Sequence, residues 1–262
     1  MSKVYAIINQ KGGVAKTTTV LNTASEIANQ GKKVLVMDMD PQGSLTTSMG
    51  YVPPDIENTI GKIFETLIRR EPMPDLKEFI LPRGSVDLIP SNLTLSIADI
   101  SIGSVLTARE YILKKIINVL KENYDYIFID CPPTLGLLVV NVLTAADSII
   151  VPIKASEMDA KGFESLLTTV QMIKMETNPS LQIEGVLMTM FDGRLLEARE
   201  VLESLNEFCE QFGIKIFNSK IGTSTKASRA FRERKTLSEY DKDCGLAQNY
   251  KDFVAEVMED ER

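Results

Sequence analysis

The chain has 262 residues, of which 44% are hydrophobic and 25% are charged. This composition is typical of a soluble globular protein, and we expect one domain spanning residues 1–262. Three cysteines lie far apart and histidine is absent, so a disulfide framework and a Cys/His zinc site are excluded and a reducing cytoplasm is favoured. The apolar runs are too short or too interrupted for a signal peptide or a membrane span, and the net charge of −7 by itself argues against a nucleic-acid binder.

Apolar runs of strand length alternate along the chain with segments of helical periodicity. The runs predict strands at Val4–Ile8, Val34–Met37, Val86–Ile89, Tyr126–Ile129, Ser148–Val151, Gly185–Met188 and Lys215–Phe217. The periodic segments predict helices over Thr17–Gln30, Ala108–Asn123, Phe163–Thr177 and Leu195–Phe212. Met49–Pro82 is rich in proline and charge, and we expect it to be an excursion of loops and a short helix rather than a core unit. This order predicts an α/β fold with a doubly wound, mostly parallel sheet flanked by helices.

Ligands bind such sheets at the carboxyl ends of the strands. The first predicted strand is followed there by a glycine-rich loop, Gln10–Thr18, which leads into a predicted helix. Its successive backbone N–H groups can cradle phosphate, with Lys16 placed for the outer phosphates and Thr17 for a magnesium ion. The alternative is a glycine-rich turn that only starts a helix.

The loop departs from the usual phosphate-loop pattern G-x-x-x-x-G-K-[ST] at both framing glycines. Gln10 and Ala15 stand in their places, and an additional cation, Lys11, lies inside the loop. Ala15 keeps its backbone N–H, so we expect the phosphate cradle to survive. If this position is left-handed, alanine costs about 1–2 kcal/mol that glycine would not.

Asp38 and Asp40 follow the second predicted strand and are separated by one residue. Alternate residues share a side in a strand-to-loop segment, so both carboxylates can point toward the phosphates, one near the metal and one near an attacking water. The alternative is that Asp38 is a loop-capping acid and that Asp40 only signals a turn before proline.

Asp130 ends the fourth predicted strand, where a carboxylate would act on magnesium through bound water. The stiff turn that follows, Cys131–Pro133, and the pivot at Gly136 are placed to sense a γ-phosphate. We expect Cys131 to be a small buried residue, because the chain has no histidine to activate it as a nucleophile.

Positive charge is concentrated late in the chain. Between Lys215 and Lys235 there are seven basic residues and one acid, which can form a local positive face on an acidic protein. The alternative is a solvated helix face. Three arginines are candidate DNA contacts from charge alone: Arg229, Arg232 and Arg234.

Three motifs together resemble the deviant Walker A ATPases, and within them the ParA/Soj partition proteins. They are "NQKGGVAKTTT" at 9–19, "VLVMDMDPQGS" at 34–44 and "YDYIFIDCPPTLGLL" at 124–138, with further similarity at "ADSIIVPI" (146–153) and "IEGVLMTMFDGR" (183–194). The resemblance implies a cytoplasmic, nucleoid-associated ATPase that uses ATP and Mg²⁺. It further implies a homodimer with ATP sandwiched between the subunits, non-specific DNA binding by that dimer, and release when a ParB-type partner stimulates hydrolysis.

The resemblance also assigns roles residue by residue. Lys11 matches the signature lysine that reaches the partner's phosphates, and Gly12 lies at the closest subunit contact. Asp40 matches the carboxylate needed for hydrolysis, whereas Arg194 and Lys226 match basic residues that contact DNA. The expected catalytic residues are Lys11, Lys16 and Asp40; the metal residues are Thr17, Asp40 and Asp130; the ATP-binding residues are Lys11, Gly12, Gly13, Val14, Ala15, Lys16, Thr17 and Thr18.

Other functions remain open on the same fold. A MinD-like membrane ATPase would need a basic amphipathic C-terminal helix, but Lys251–Arg262 carries two basic and five acidic residues, which anionic lipid should repel. A nucleotide-gated scaffold with vestigial hydrolysis is the non-enzymatic alternative. An iron–sulfur reductase is disfavoured by the cysteine spacing.

The chain departs from the family pattern in two further ways. Because it starts at the first predicted strand, we expect no N-terminal helix-turn-helix and no operator binding by this chain alone. The absence of an arginine after proline near Gly222 leaves the residues that contact the nucleotide base open.

Overall fold

The computed structural model describes residues 2–155 and 160–259, and within them seven strands form one sheet. The strands are β1 (Lys3–Ile7), β2 (Val34–Asp38), β3 (Leu81–Arg83), β4 (Val86–Ile89), β5 (Tyr126–Asp130), β6 (Ser148–Lys154) and β7 (Gln182–Thr189). Their order is β3-β4-β2-β5-β1-β6-β7, and neighbours are parallel except for the antiparallel β3–β4 pair. The fold class predicted from the sequence is therefore confirmed.

Helices connect the parallel strands and cover both faces of the sheet. They are α1 (Lys16–Ala28), α2 (Ser44–Ser48), α3 (Ile60–Ile68), α4 (Thr94–Ile102), α5 (Ile112–Leu120), α6 (Leu137–Ala145), α7 (Ala160–Glu176), α8 (Leu196–Gln211), α9 (Thr225–Arg232), α10 (Leu237–Tyr240) and α11 (Gly245–Glu259). None of the described helices is long and apolar enough to span a membrane. The last residues of the acidic C-terminal segment, 260–262, lie outside the described residues.

The central strands are apolar over most of their length because successive side chains enter two different cores. On β1, Val4 and Ala6 pack against α3 to α8, whereas Tyr5 and Ile7 pack against α1, α10 and α11. Strands β2 and β5 alternate in the same way. A strand buried on both faces is apolar at nearly every position, which explains why continuous rather than alternating apolar runs predict this sheet.

Two sequence predictions about the fold are wrong. Lys215–Phe217 forms no strand, only an isolated parallel bridge between Ile216 and Val186 at the edge of β7. The segment Met49–Pro82 contains loops and a short helix as predicted, but it also contributes to the core, because α3 buries Ile60, Ile63 and Phe64 completely against α4 and α5. The apolar face of α3 is only two turns long, so the surrounding prolines and charges obscured it.

The topology brings three chain segments to one edge of the sheet. Asp130 ends β5 opposite Ile7, the last residue of β1, and opposite Asp38, the last residue of β2. The loop that leaves β1 turns at this edge into α1. The three motifs, in which Thr17 and Asp130 are 113 positions apart in the sequence, therefore meet at adjacent carboxyl ends, as a doubly wound sheet requires.

Candidate functional site

The loop between β1 and α1 is built on two left-handed residues. Gly13 has φ 73°, and Ala15, the residue just before α1, has φ 66° and ψ 28°. The Ala15 carbonyl accepts the first helical hydrogen bond, from Thr19 N at 2.9 Å. A Cβ atom placed on Gly12 or Gly13 would have no heavy atom within 4 Å, so the loop presents an open face to whatever occupies the cleft in front of it.

Lys16 is folded into this loop rather than extended into solvent. The residue is only 9% exposed. Its Nζ donates to the main-chain oxygens of Asn9 and Lys11, each at 3.0 Å. Burial lowers the Lys16 pKa, while the carboxylates of Asp130 and Asp40 act in the opposite direction. The ammonium group is thus held beside the glycine face, where it can stabilise phosphate charge.

Asp130 and Thr17 form the second part of the site. Thr17 Oγ1 donates to Asp130 Oδ2 at 2.7 Å, and Asp130 is buried, with 1% exposure. Its other oxygen, Oδ1, has no hydrogen-bond partner among the described residues. Burial and the neighbouring Asp38 charge raise the Asp130 pKa well above its usual range. A buried carboxylate oxygen without a partner calls for a cation or water, so the hydroxyl and carboxylate fit a magnesium site.

The described residues hold no cluster of three or more histidine, cysteine or acidic side chains able to chelate a metal by themselves. Magnesium is compatible with this arrangement, because it usually keeps several waters and combines one or two protein ligands with the phosphate oxygens of a substrate. A cation at Thr17 and Asp130 would therefore depend on a bound phosphate for the rest of its coordination.

The structure separates the two acids that follow β2. Asp40 is partly exposed and lines the cleft. Asp38 is fully buried, and it accepts hydrogen bonds from Thr46 N at 2.8 Å, Thr46 Oγ1 at 2.7 Å and Asp40 N at 3.2 Å. Burial raises the Asp38 pKa to about 6, even though the Thr46 hydrogen bonds oppose the shift. Asp38 thus anchors the start of α2, which matches the capping alternative, and Asp40 is the acid available to a ligand.

The cleft in front of the loop has a volume of about 590 Å³. It is surrounded by residues of the loop and the start of α1, of the segments that follow β2, β5 and β7, and of α9. These residues are Gly12, Gly13, Ala15, Lys16, Thr17, Thr18, Asp40, Ser44, Cys131, Pro133, Met190, Ala227, Ser228, Phe231 and Arg232. Cys131 is 1% exposed, and burial raises its thiol pKa above the ordinary value. This cysteine is therefore a thiol and not a thiolate at neutral pH, as expected for a structural residue.

Sequence reasoning missed the side chains that hold the loop in place. Asn9 accepts from Lys11 N at 2.9 Å and donates to Pro152 O at 2.8 Å, and Gln10 donates to Gly162 O at 3.0 Å. An asparagine two residues before a turn amide is a recognisable local signal. The contact of Gln10 with a residue 152 positions away has no local signal, although it gives a physical reason for a side chain where the usual pattern has glycine.

The candidate DNA-contacting residues are placed in three different ways. Arg194 is bound by Asp192 through two hydrogen bonds, at 2.6 and 2.8 Å, and this contact lowers the Asp192 pKa to about 2. Lys226 donates to Asp241 at 2.5 Å. The others lie on or after α9: Arg229 is exposed, Arg232 lines the cleft, and Arg234 donates to Gly50 O at 2.9 Å.

Known proteins resemble this chain over its whole length. A family described as "AAA domain" matches residues 2–183. The sporulation initiation inhibitor protein Soj of Bacillus subtilis is 37% identical over 98% of this chain and 98% of its own length. The chromosome partitioning protein ParA of Caulobacter vibrioides is 34% identical over 99% and 95% of the two chains. A solved structure of cobyrinic acid a,c-diamide synthase from Mycobacterium smegmatis, with bound ATP analog and magnesium, has a TM-score of 0.87 at 28% identity, covering 100% of this chain and 96% of that one.

Proposed function

The chain belongs to the Soj/ParA family of partition ATPases, and from this membership we propose that it uses ATP and Mg²⁺ to segregate plasmid or chromosomal DNA. In this proposal ATP joins two subunits, the dimer binds DNA without sequence preference, and a ParB-type partner ends the cycle by stimulating hydrolysis. The structural neighbour from Mycobacterium smegmatis carries the name of a synthase, but the Soj and ParA relatives are more similar in sequence.

One observation carries the nucleotide part of the proposal. The buried carboxylate of Asp130 is hydrogen-bonded to Thr17 through one oxygen and lacks a described partner on the other, beside the buried ammonium of Lys16. A cation at this carboxylate and a phosphate at the open glycine face would satisfy both groups. When bound, the metal would draw charge from the phosphates, while Lys16 and the loop amides position them.

Asp40 and Lys11 are proposed to act on the hydrolysis step. Asp40 lines the cleft with a partly exposed carboxylate, where it can orient a water molecule toward the terminal phosphate. The Lys11 backbone is committed to its own loop, since its N–H donates to Asn9 and its carbonyl accepts from Lys16. We propose that the Lys11 side chain neutralises phosphate charge across the dimer interface, close to the open face of Gly12.

The nucleotide and assembly steps are tested by light scattering with ATP, ADP and no nucleotide, each with and without random duplex DNA. We expect a monomer without nucleotide, a dimer with ATP and Mg²⁺, and a larger complex when DNA is added. Asp40→Ala should bind ATP and dimerise but lose turnover. A parent-like hydrolysis rate in Asp40→Ala removes this residue from catalysis, and an absence of turnover in the parent under all conditions, with DNA and partner included, favours a nucleotide-gated scaffold.

A mixing experiment tests whether Lys11 acts on the other subunit. Lys11→Ala and Asp40→Ala should each be inactive alone, but a mixed dimer contains one site with Asp40 from one subunit and Lys11 from its partner. Random mixing should restore about a quarter of the parent activity, because half the dimers are mixed and each has one complete site. No recovery would show that Lys11 serves the nucleotide of its own subunit.

The DNA surface is tested by the double variant Arg194→Ala, Lys226→Ala, loaded with ATP. Each phosphate contact contributes a slope of about −0.9 to the dependence of log affinity on log salt, so losing two contacts in each subunit, four in the dimer, should make the slope shallower by about 3.6. A matched control is Lys115→Ala, Lys174→Ala, two exposed cations on α5 and α7 over the other face of the sheet. Salt-sensitive binding retained in the first variant would refute the proposed surface.

A further inference from the structure

The nucleotide cleft extends beyond the residues that phosphate and magnesium require. Its lining includes Met190, which directly follows β7, and Ala227, Ser228 and Phe231 on α9. Strand β7 lies two strands away from β1 in the sheet, about 10 Å at the usual strand spacing. If the phosphates bind at the β1–α1 loop, the sugar and base of a nucleotide must lie along this remaining part of the cleft.

Two large apolar side chains are exposed in that part of the cleft. Phe231 is 46% exposed and Met190 is 37% exposed. Ala227 and Phe231 are four residues apart and therefore share one face of α9, and both line the cleft. Ala230, between them and the body of the protein, is 2% exposed and anchors the helix. An aromatic ring and a thioether facing a cleft present a surface suited to the flat face of a heterocyclic base.

The backbone at Met190 adds independent support. Its φ of 52° lies in the left-handed region that side chains other than glycine rarely adopt. Hydrogen bonds hold the residues on both sides of it: Phe191 N donates to Ile221 O at 2.9 Å, and Thr189 Oγ1 donates to the main-chain oxygens of Val14, in the phosphate loop, and of Ile153, each at 3.2 Å. Strain kept in place by surrounding contacts is typical of binding sites, and here those contacts tie the position of Met190 to the loop itself.

We propose that Met190 and Phe231 form a clamp for the nucleotide base, with the Phe231 ring on one face and the Met190 side chain on the other. This inference rests on the proposed nucleotide function of the cleft and deepens it. Stacking contacts act on the ring face, so the clamp contributes affinity for nucleotides and none for inorganic polyphosphate.

The test compares ATP affinity, measured by titration calorimetry with Mg²⁺, in the parent and in three variants. Base–aromatic stacking contributes enough binding free energy that Phe231→Ala should raise the Kd for ATP about tenfold. Phe231→Tyr keeps the ring and should bind ATP like the parent. Met190→Gly removes the side chain at a left-handed position that glycine tolerates, and we expect a smaller loss. Phe212→Ala and Met175→Ala, exposed by 48% and 76% outside the cleft, are the matched controls.

A second readout separates the base from the phosphates. In saturation-transfer NMR, the base protons H2 and H8 should receive more saturation than ribose H1′ in the parent, and this ratio should fall in Phe231→Ala. Competition by inorganic tripolyphosphate, where it occurs, should be equal in parent and variant. A parent that does not bind ATP refutes the proposed function of the cleft. A parent that binds ATP while Phe231→Ala keeps the same Kd and the same proton ratio refutes the clamp alone.

Discussion

Replacing Ala15 by glycine tests the conformation of the phosphate loop directly. Ala15 sits at φ 66° and ψ 28°, a left-handed conformation that costs an alanine roughly 1–2 kcal/mol. Glycine relieves this strain but loses about 0.5–1 kcal/mol more chain entropy on folding. The free energy of unfolding of Ala15→Gly should therefore rise by about 0.5–1 kcal/mol, which for this chain length is a Tm increase of about 1–4 °C.

ATP affinity should stay at the parent value in Ala15→Gly. The group that binds phosphate at this position is the backbone N–H, which glycine retains, and the left-handed conformation is already present in the free loop. Strain that is equal in the free and bound states cancels from the binding free energy. Thermal unfolding without nucleotide and ATP titration calorimetry measure the two effects separately.

Two other alanines provide matched controls. Ala108 also has a positive φ, 58°, and is exposed outside the cleft, so Ala108→Gly should raise Tm by a similar amount and leave ATP binding alone. Ala24 is fully buried within the regular helix α1, and Ala24→Gly should lower stability by about 1 kcal/mol or more. A lower Tm in Ala15→Gly together with a higher Tm in Ala108→Gly, or a marked loss of ATP binding, would show that the loop conformation assigned to Ala15 is wrong.

Three further changes have expected outcomes. Gly12→Val should leave thermal stability nearly unchanged, because a Cβ there meets no atom within 4 Å, and should abolish the ATP-dependent dimer in light scattering; a dimer of normal affinity would move the contact elsewhere. Asp192→Asn frees the guanidinium of Arg194 from a competing carboxylate and should strengthen DNA binding, measured by fluorescence anisotropy. Asp243→Asn is the control, because Asp243 is exposed and lacks this contact. Equal gains in DNA affinity from the two variants would mean that only net charge matters. Burial raises the Asp99 pKa, so this carboxyl group binds a proton more tightly in the folded protein than in the unfolded chain. Its contribution to stability therefore falls as pH rises through that pKa, and the Tm of the parent relative to that of Asp99→Asn should be higher at pH 4 than at pH 7. The opposite trend would contradict the raised pKa.

The fold was predictable wherever a strand enters two cores at once. Such strands form nearly continuous apolar runs, so β1, β2, β5 and β6 stand out from the helices between them. Lys215–Phe217 was mistaken for another strand because it carries the same kind of short apolar run. In the folded chain only Ile216 pairs with a neighbour, while Phe217 packs against Phe253 of α11. A three-residue run does not distinguish a strand from a loop that delivers one aromatic ring to a core.

The prediction of a phosphate-binding loop rests on residues that are close together in the sequence. Backbone N–H groups, Lys16 and Thr17 belong to one continuous segment, and the acids follow strands whose ends must meet at one edge of the sheet. The two roles of Asp38 and Asp40 were not separable from spacing, because an acid at either position could face the ligand. The hydroxyl and amide of Thr46 decide the matter by engaging Asp38, and the partner of a side chain eight residues away is not encoded in a motif.

Helix α9 shows most clearly what charge counting omits. Charge alone predicts one DNA surface for the basic residues of this segment, but Arg232 lines the cleft in front of the β1–α1 loop together with Ser228, one helical turn away. Lys226 is bound by Asp241, from outside the segment. The number of cations is a property of the sequence, but the direction in which each points depends on the helical period and on partners from other elements. A count of charges therefore predicts only that an anion binds near α9. The packing of the helix is needed to propose which cation faces a nucleotide and which faces a DNA backbone.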